Sequence, residues 1–442
     1  ERIMEIMKRI VSIMLVCLLV FGTMACGKAT ETDGNEAADN KTEETGTEVE
    51  NEGAAANEGT ELPAFKIGVA VGSWDAKALM TQSYYDKYIG PAFHVEFIWA
   101  EETGTDVAKV LDFVDTLASM GADAFIDYGS LTGDQLMSIG AKCNEYGIWY
   151  VNNNASVEDG MMQFEYFGGT GGAEPSVVGE QFYEMTEYLV ADGNPHNIIL
   201  QSAGALNGVA QHIFTASSAL QAICEVFDLT LYTDNYEEIV TTTTAQTVLD
   251  TGSDMKVALE TSNPADADSY YNLLKTGEYD TVIFQMPQYL RCESVIDEVE
   301  KTFGENIHLI SIAPVADTTY NSFSTQDSTG NQALDAALIK NNSAGGILFA
   351  MAYNCLTGHA DEMKTDGVYE LYDAPMWVCY NLEEYEKIAQ LDSEDGQYFT
   401  YRIDDLKEML FEFNPELTAE KLHELAASVV NLEMVLERNG LN

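Results

Sequence analysis

Trp74 follows a Gly72-Ser73 pair and precedes Asp75, where an apolar run at 66–71 gives way to the opening of an amphipathic helix. A glycine lets the chain turn sharply at such a point, and an indole offers a broad, stiff face to whatever enters. Three consecutive amides, Asn152, Asn153 and Asn154, close a later apolar run, and Asn207, Gln285 and Gln288 stand at other expected strand edges. Together these side chains suit reversible capture of a neutral polar molecule. The ring covers its C–H surface, and the amides pair its hydroxyls as donors or acceptors. Each has a plainer reading too: Trp74 as a core or edge aromatic, the asparagines as ordinary turn formers.

Covalent chemistry has little to stand on. The glycine-rich run at 168–172 follows a strand and precedes a helix, but Glu174 occupies the third glycine position of a dinucleotide loop and no Lys-Ser/Thr pair follows as in a phosphate loop. That run reads as a flexible crossing between two lobes. No GxSxG elbow and no HExxH helix occurs, and His359, Asp361 and Glu362 do not converge on one helix face. No catalytic residue, metal or cofactor is expected.

The elements that must position the amides alternate as βαβ units. Strands are expected at 66–71, 93–99, 124–128, 148–152 and 164–167, with helices at 75–88, 106–120 and 132–146 between the first four. The second half reads helix 175–190, strand 197–201, helix 209–227, strand 229–232, helix 265–275, strand 281–285, helix 290–303 and strand 307–312, with the Thr-rich 237–260 unassigned. The stretch at 196–210 repeats the strand–turn–helix design of 65–78, so two similar lobes facing each other across a cleft are expected. The fold class is α/β, with a parallel sheet in each half covered on both faces. Late in the chain, 346–352 and 376–380 read as strands crossing back between the lobes. Beyond 390, Thr418 can cap a helix whose Leu422, Leu425, Ala426, Val429 and Leu432 mark one face, expected to dock on the second lobe.

The chain of 442 residues holds 73 acidic against 21 basic side chains, a formal charge of −52, and is 46% hydrophobic. Residues 28–62 carry eleven acids against Lys28 and Lys41, so most of the charge belongs to the part able to fold. Such a surface repels phosphate backbones, which argues against nucleic-acid binding. Near the N-terminus, Lys8-Arg9 precedes the apolar run 10–21 and the small-residue segment leading to Cys26, the pattern of a secretory signal. Cys26 resembles the lipidated cysteine of bacterial lipoproteins, although Thr23 stands where that family prefers Leu. The segment 27–62 is too polar to build a core and is expected to be a tether. Of seven cysteines, the five beyond the signal have no CxxC spacing and read as buried thiols.

The order of elements, with KIGVAVGSW, IWYVNNN and the pair EPSVVGEQFYEMTEYLV and NIILQSAG, resembles the type I periplasmic binding proteins of the ribose/galactose group over roughly 65–385. The resemblance implies two Rossmann-like lobes joined by three crossings, with a ligand in the cleft between them. Residue by residue, it places Ser73, Trp74 and Asp75 at the sugar-stacking turn and Asn152–Asn154 among the hydrogen-bonders. His212 falls where the family often has an arginine, and Asp317 stands in, displaced, for an aspartate after the strand at 307–312. With no arginine there, a neutral ligand, most readily a sugar, is expected.

The division expected is a signal at 1–26, a linker at 27–62, a first lobe from 63–168 with 350–375, a second from 169–349 with 376–390, and a helical extension at 391–442. The function implied is that of a monomeric solute-binding protein, anchored by lipid at Cys26 to the cell surface or periplasmic face of a bacterial membrane, passing a sugar to an ABC permease. A ligand-presenting sensor for a receptor kinase and an extracellular hydrolase are the alternatives.

Overall fold

The apolar runs become strands buried on both sides, the condition under which parallel sheets form. A computed structural model describes residues 62–154, 160–191, 193, 196–261, 267–287, 289–394 and 396–441. The expected anchor Cys26, all but Leu62 of the expected tether, and Gln288 lie outside that set. Strands β1 (Phe65–Ala70), β2 (Val95–Trp99), β3 (Ala124–Asp127), β4 (Trp149–Asn153) and β5 (Phe167–Gly172) alternate with helices α1 (Ala76–Ser83), α2 (Val107–Met120) and α3 (Gly133–Tyr146). They lie in the order β5-β4-β3-β1-β2, all parallel, and β12 (Tyr372–Asp373) returns from far along the chain to pair with β5.

Helix ends follow the local chemistry. The Asp106 carboxylate accepts a hydrogen bond from the Ala108 N–H at 3.0 Å to start α2, Thr132 and Gln135 form a capping box on α3, and Gly121 and Gly147 close these helices at φ 68° and 70°.

The second sheet is built from β6 (Ile198–Gln201), β7 (Thr247–Leu249), β8 (Val257–Glu260), β9 (Thr281–Phe284), β10 (His308–Pro314), β11 (Ala336–Lys340) and β13 (Trp377–Cys379). Its order is β13-β11-β10-β9-β6-β8-β7, with antiparallel strands at both edges. Helices α4 (Pro175–Val190), α5 (Ala210–Val226), α6 (Ala267–Leu274), α7 (Tyr289–Phe303) and α8 (Asp317–Ser324) connect the strands. Then α9 (Ser343–Leu356) returns to pack on β3, β4 and β5 of the first sheet, and α10 (Leu382–Ile388) packs on α8. The five described cysteines are buried and form no disulfide among the described residues. Among the described residues no helix is long and apolar enough to cross a membrane.

Two departures from the sequence reading meet at one contact. The glycine-rich run is not a crossing but the buried strand β5, and 346–352 is not a strand but the centre of α9. An unbroken apolar run carries no period that separates helix from strand. The glycines are what let α9 lie on the sheet: a Cβ on Gly168 would meet Cys355 Sγ at 2.8 Å, and one on Gly169 would meet Met351 Cε at 2.5 Å. The boundary expected at 168/169 therefore falls inside β5. Nor is 229–232 a strand; the second sheet takes β8 instead, and 236–242 of the unassigned segment is a helix.

The C-terminal extension docks on the first sheet rather than the second lobe. Its helix α11 (Ala419–Ala427), capped by Thr418 as expected, packs on β12 and buries Leu422 and Ala426. Its contacts hold it to the first lobe: Tyr88 stacks on Phe399 at 3.7 Å, the Tyr84 hydroxyl donates to Tyr401 O at 2.7 Å, and Asn354 Nδ2 donates to Met409 O at 3.0 Å. A bond also reaches the other lobe, from Trp377 Nε1 in β13 to Val429 O at 2.8 Å.

Gly169 tests the close approach of α9 to β5. Its φ of 106° disfavours any side chain, and Met351 fills the space one would need. Gly169→Ala is expected to lower stability by about 1–3 kcal/mol, the usual cost of overpacking, read as a lower midpoint in urea unfolding; an unchanged midpoint would contradict it.

Candidate functional site

A cleft of about 260 Å³ opens where the carboxyl ends of β1, β4 and β11 meet the chain crossings at 173, 341–344 and 374–376. Ligands of open α/β sheets are met at strand ends of this kind. A larger groove, about 670 Å³, lies between α4 and α5 on the outside of the second lobe, lined by Glu180, Glu225 and Glu237 with Tyr183 and Tyr236. It touches only one lobe and no strand end, so the cleft is the better candidate.

The first wall is set by turn chemistry. After β1 the chain turns at Gly72, whose carbonyl accepts from the Gly104 N–H at 2.8 Å, and Asp75 caps α1 by accepting from the Ala78 N–H at 3.0 Å. This puts Ser73, Asp75 and Lys77 on the cleft. After β3, the buried Asp127 carboxylate accepts from the Gly129 N–H at 2.8 Å and from the Tyr150 hydroxyl at 3.0 Å, fixing the turn that presents Tyr128 and Ser130. Tyr128 and Tyr85 share a hydroxyl–hydroxyl bond at 2.8 Å, and Tyr85 donates onward to Gly345 O at 2.7 Å.

The opposite wall comes from β11, the first turn of α5 and the crossings. Lys340 ends β11, and Gln211 sits in the first turn of α5. Asn341 Nδ2 donates to Pro375 O at 2.8 Å and Ser343 Oγ donates to the same carbonyl at 2.9 Å, binding two crossings together. The Lys77 ammonium donates to Asn341 O and Asn342 Oδ1, and Thr81 Oγ1 donates to Asn342 Oδ1 at 2.9 Å.

Burial dominates the electrostatics. It pushes the Lys77 ammonium down to about 7, with Asp392 opposing, Lys340 adding to the fall and Asp75 opposing again. Lys340 is lowered by burial with Asp75 opposing, and His212 is pushed down to about 4 by burial and then by the charge of Lys340.

Of the residues singled out from sequence, Ser73, Asp75 and Asn153 line the cleft. Trp74 does not; its ring packs beside that of Trp99 at a centroid distance of 5.5 Å. Asn152 is buried and its Oδ1 accepts from Thr170 Oγ1 at 2.6 Å, and Asn154 is buried with its N–H on the same hydroxyl at 3.3 Å. Alternation along a strand explains the split, since neighbours point to opposite faces and Asn153 alone of the three faces the cleft. Asn207 ends a single helical turn, His212 follows the lining residue Gln211, and Asp317 is exposed at the start of α8, away from the cleft. Gln285 is buried just after β9 with neither amide atom partnered, as is Gln201 at the end of the neighbouring β6; neither lines the cleft.

The sequence reading missed Lys77, Lys340, Gln211, Tyr128 and Ser130. Lys77 lay in plain view four residues beyond Ser73, while Lys340 was hidden because β11 was not recognised as a strand.

No family model matches the chain. No curated protein matches it either. Solved structures do share its fold: a galactofuranose-binding protein at 12% identity and a TM-score of 0.51, covering 73% of this chain and 98% of that one, and an ABC transporter solute-binding protein from Agrobacterium vitis with bound D-fucose at 13% identity and 0.50, covering 71% and 95%. The chain has the type I periplasmic binding-protein fold. Both neighbours are binding proteins.

The turn behind Tyr128 is testable through pH. Burial raises the Asp127 carboxyl to about 6 against an ordinary 3.8, outweighing its two hydrogen bonds. A folded-state value above the unfolded one means that stability is fully present below pH ~4 and is lost as pH rises to ~6, with no further slope from this group. Asp127→Asn is expected to flatten that fall, by about 2–3 kcal/mol, in urea unfolding across pH 4–7; an identical slope in the variant would remove Asp127 as its source.

Proposed function

We propose that the chain is the extracytoplasmic solute-binding component of an ABC importer, taking a small polyhydroxylated solute, a sugar first, into the cleft between its lobes and presenting it to a permease. The observation that carries this reading is a polar cleft at the strand ends of the two lobes, bounded by the three crossings about which the lobes would close. Its volume of about 260 Å³ lies just below the usual range for ligand sites, which runs from about 300 Å³ upward. Side chains with hydrogen-bonding capacity to spare, Ser73, Ser130, Asn153 and Gln211, meet there. The shared fold with proteins that bind galactofuranose and D-fucose supports the same reading. Closure would exclude water and strengthen each bond to the solute, and the permease would recognise the closed form. In this reading the protein is a monomer held at the membrane by lipid on Cys26.

A thermal-shift screen of sugars and polyols tests the reading, because a solute bound only by the native state raises its melting temperature. For the solute so found, Asn153→Ala is expected to weaken binding by about 1–2 kcal/mol, the cost of a hydroxyl left unpaired, and Trp74→Ala to weaken it less. Calorimetric titration of both variants decides, and a reversed order would return the site to Trp74. If the anchor is as proposed, Cys26→Ser releases the processed protein from membranes in a fractionation; its retention there would exclude lipid as the anchor.

A further inference from the structure

The cleft carries the opposite charge balance from the rest of the chain. In a protein of formal charge −52, its charged lining side chains are Lys77, Lys340 and Asp75, two cations to one anion. Asp75 is already engaged: Oδ1 accepts from the Ala78 N–H at 3.0 Å and Oδ2 from Ser73 Oγ at 3.4 Å. Lys77 is engaged as well, but with Asn341 O and Asn342 Oδ1, oxygens that carry no net charge. Lys340 has neither an ion pair nor a hydrogen bond among the described residues, although it is largely buried at the end of β11 and lines the cleft. A sheltered ammonium that feels an anion, Asp75, only at a distance and bonds to none is costly, and proteins otherwise pair or expose such groups. Its field reaches His212, whose protonation it opposes.

We infer that the solute bears one anionic group, a carboxylate or a phosphate, on its polyhydroxylated frame, and that Lys340 supplies the counter-charge when the solute enters. This rests on the solute-binding reading above. Lys77 reinforces the field from the first lobe while staying fixed to the crossing. Asn153, Gln211, Ser73 and Ser130 remain for the hydroxyls. The cleft would then attract its solute electrostatically while the strongly acidic exterior leaves other anions at a distance. The selectivity follows from desolvation: a neutral analogue displaces water from the ammonium without replacing it by charge.

The test is calorimetric titration of the full chain with matched pairs on one sugar frame: glucose, galactose, mannose and ribose, each against its acid and its terminal phosphate. In the frame that binds, the anionic member is expected to bind at least tenfold tighter than the neutral one. Lys340→Gln should erase that ratio and Lys340→Arg should keep most of it. Which anion gains more separates a carboxylate from a phosphate solute. Lys340→Met, which removes the unpaired charge, is expected to melt no lower than the native chain without solute, so lost binding in that variant is not lost folding. A neutral sugar binding as tightly as its anions, or a ratio that survives Lys340→Gln, overturns the anionic solute and leaves the solute-binding reading standing. Silence of every member of every pair overturns both.

Discussion

The Pro375 carbonyl accepts from both Asn341 and Ser343, and that pair of bonds ties the second crossing of the chain to the third. Three crossings held side by side leave the lobes one soft motion, a rotation about the line of crossings, because any other displacement would stretch at least one of them. The cleft is defined by this constraint. Lys340 precedes the second crossing, Ser343 lies in it, Met376 ends the third, Ala173 lies in the first, and all four line the cleft. Residues that would grip a solute are thus neighbours, in sequence, of residues that would bend.

Charge acts on the same small region. At 4 Å and an effective dielectric of about 20, two unit charges interact by about 4 kcal/mol, against a desolvation cost of several kcal/mol per ion. For an ammonium partly desolvated by the fold, as at Lys340, part of that second cost has been met before a partner arrives. The net effect of pairing is then larger than at an exposed lysine, where about 0–1 kcal/mol is usual. Lys77 shows the alternative: its charge is spread over two carbonyl oxygens, with Asp392 the largest opposing influence on its lowered value.

How much could be read from the sequence depended on whether a residue's role was local. Period-two and period-3.6 runs bounded by glycines placed β1 to β4, β6, β9, β10 and β13 and the helices α1 to α7, because capping and turning act over three or four residues, but not β7, β8, β11 or β12. The two sheets, their parallel sense and the general site at the strand ends followed. What failed was set by contacts distant in sequence. The glycines of β5 look like a loop until α9, some 180 residues later, is seen lying on them. Asn152 and Asn153 are identical as letters, and only the Thr170 hydroxyl across the sheet decides which of them is structural. Trp74 reads as a ligand platform from its turn alone; its ring lies tilted beside that of Trp99 at the end of the adjacent β2, and the cleft lining does not include it.

The C-terminal extension belongs to this same argument. Asp392, at φ 56°, accepts hydrogen bonds from Thr400 N at 2.9 Å, from Thr400 Oγ1 and from Asn342 N at 3.3 Å. Asn342 in turn receives Lys77 and Thr81. The extension therefore reaches the second crossing through a buried carboxylate whose acidity burial has weakened. It also holds β13 of the second lobe through Trp377 while its bulk rests on the first. An element bonded to both lobes and to the crossing between them adds resistance to the one rotation the crossings allow. It does this from behind the crossings, through the Trp377 to Val429 bond and the Asp392 carboxylate, without contributing a side chain to the cleft.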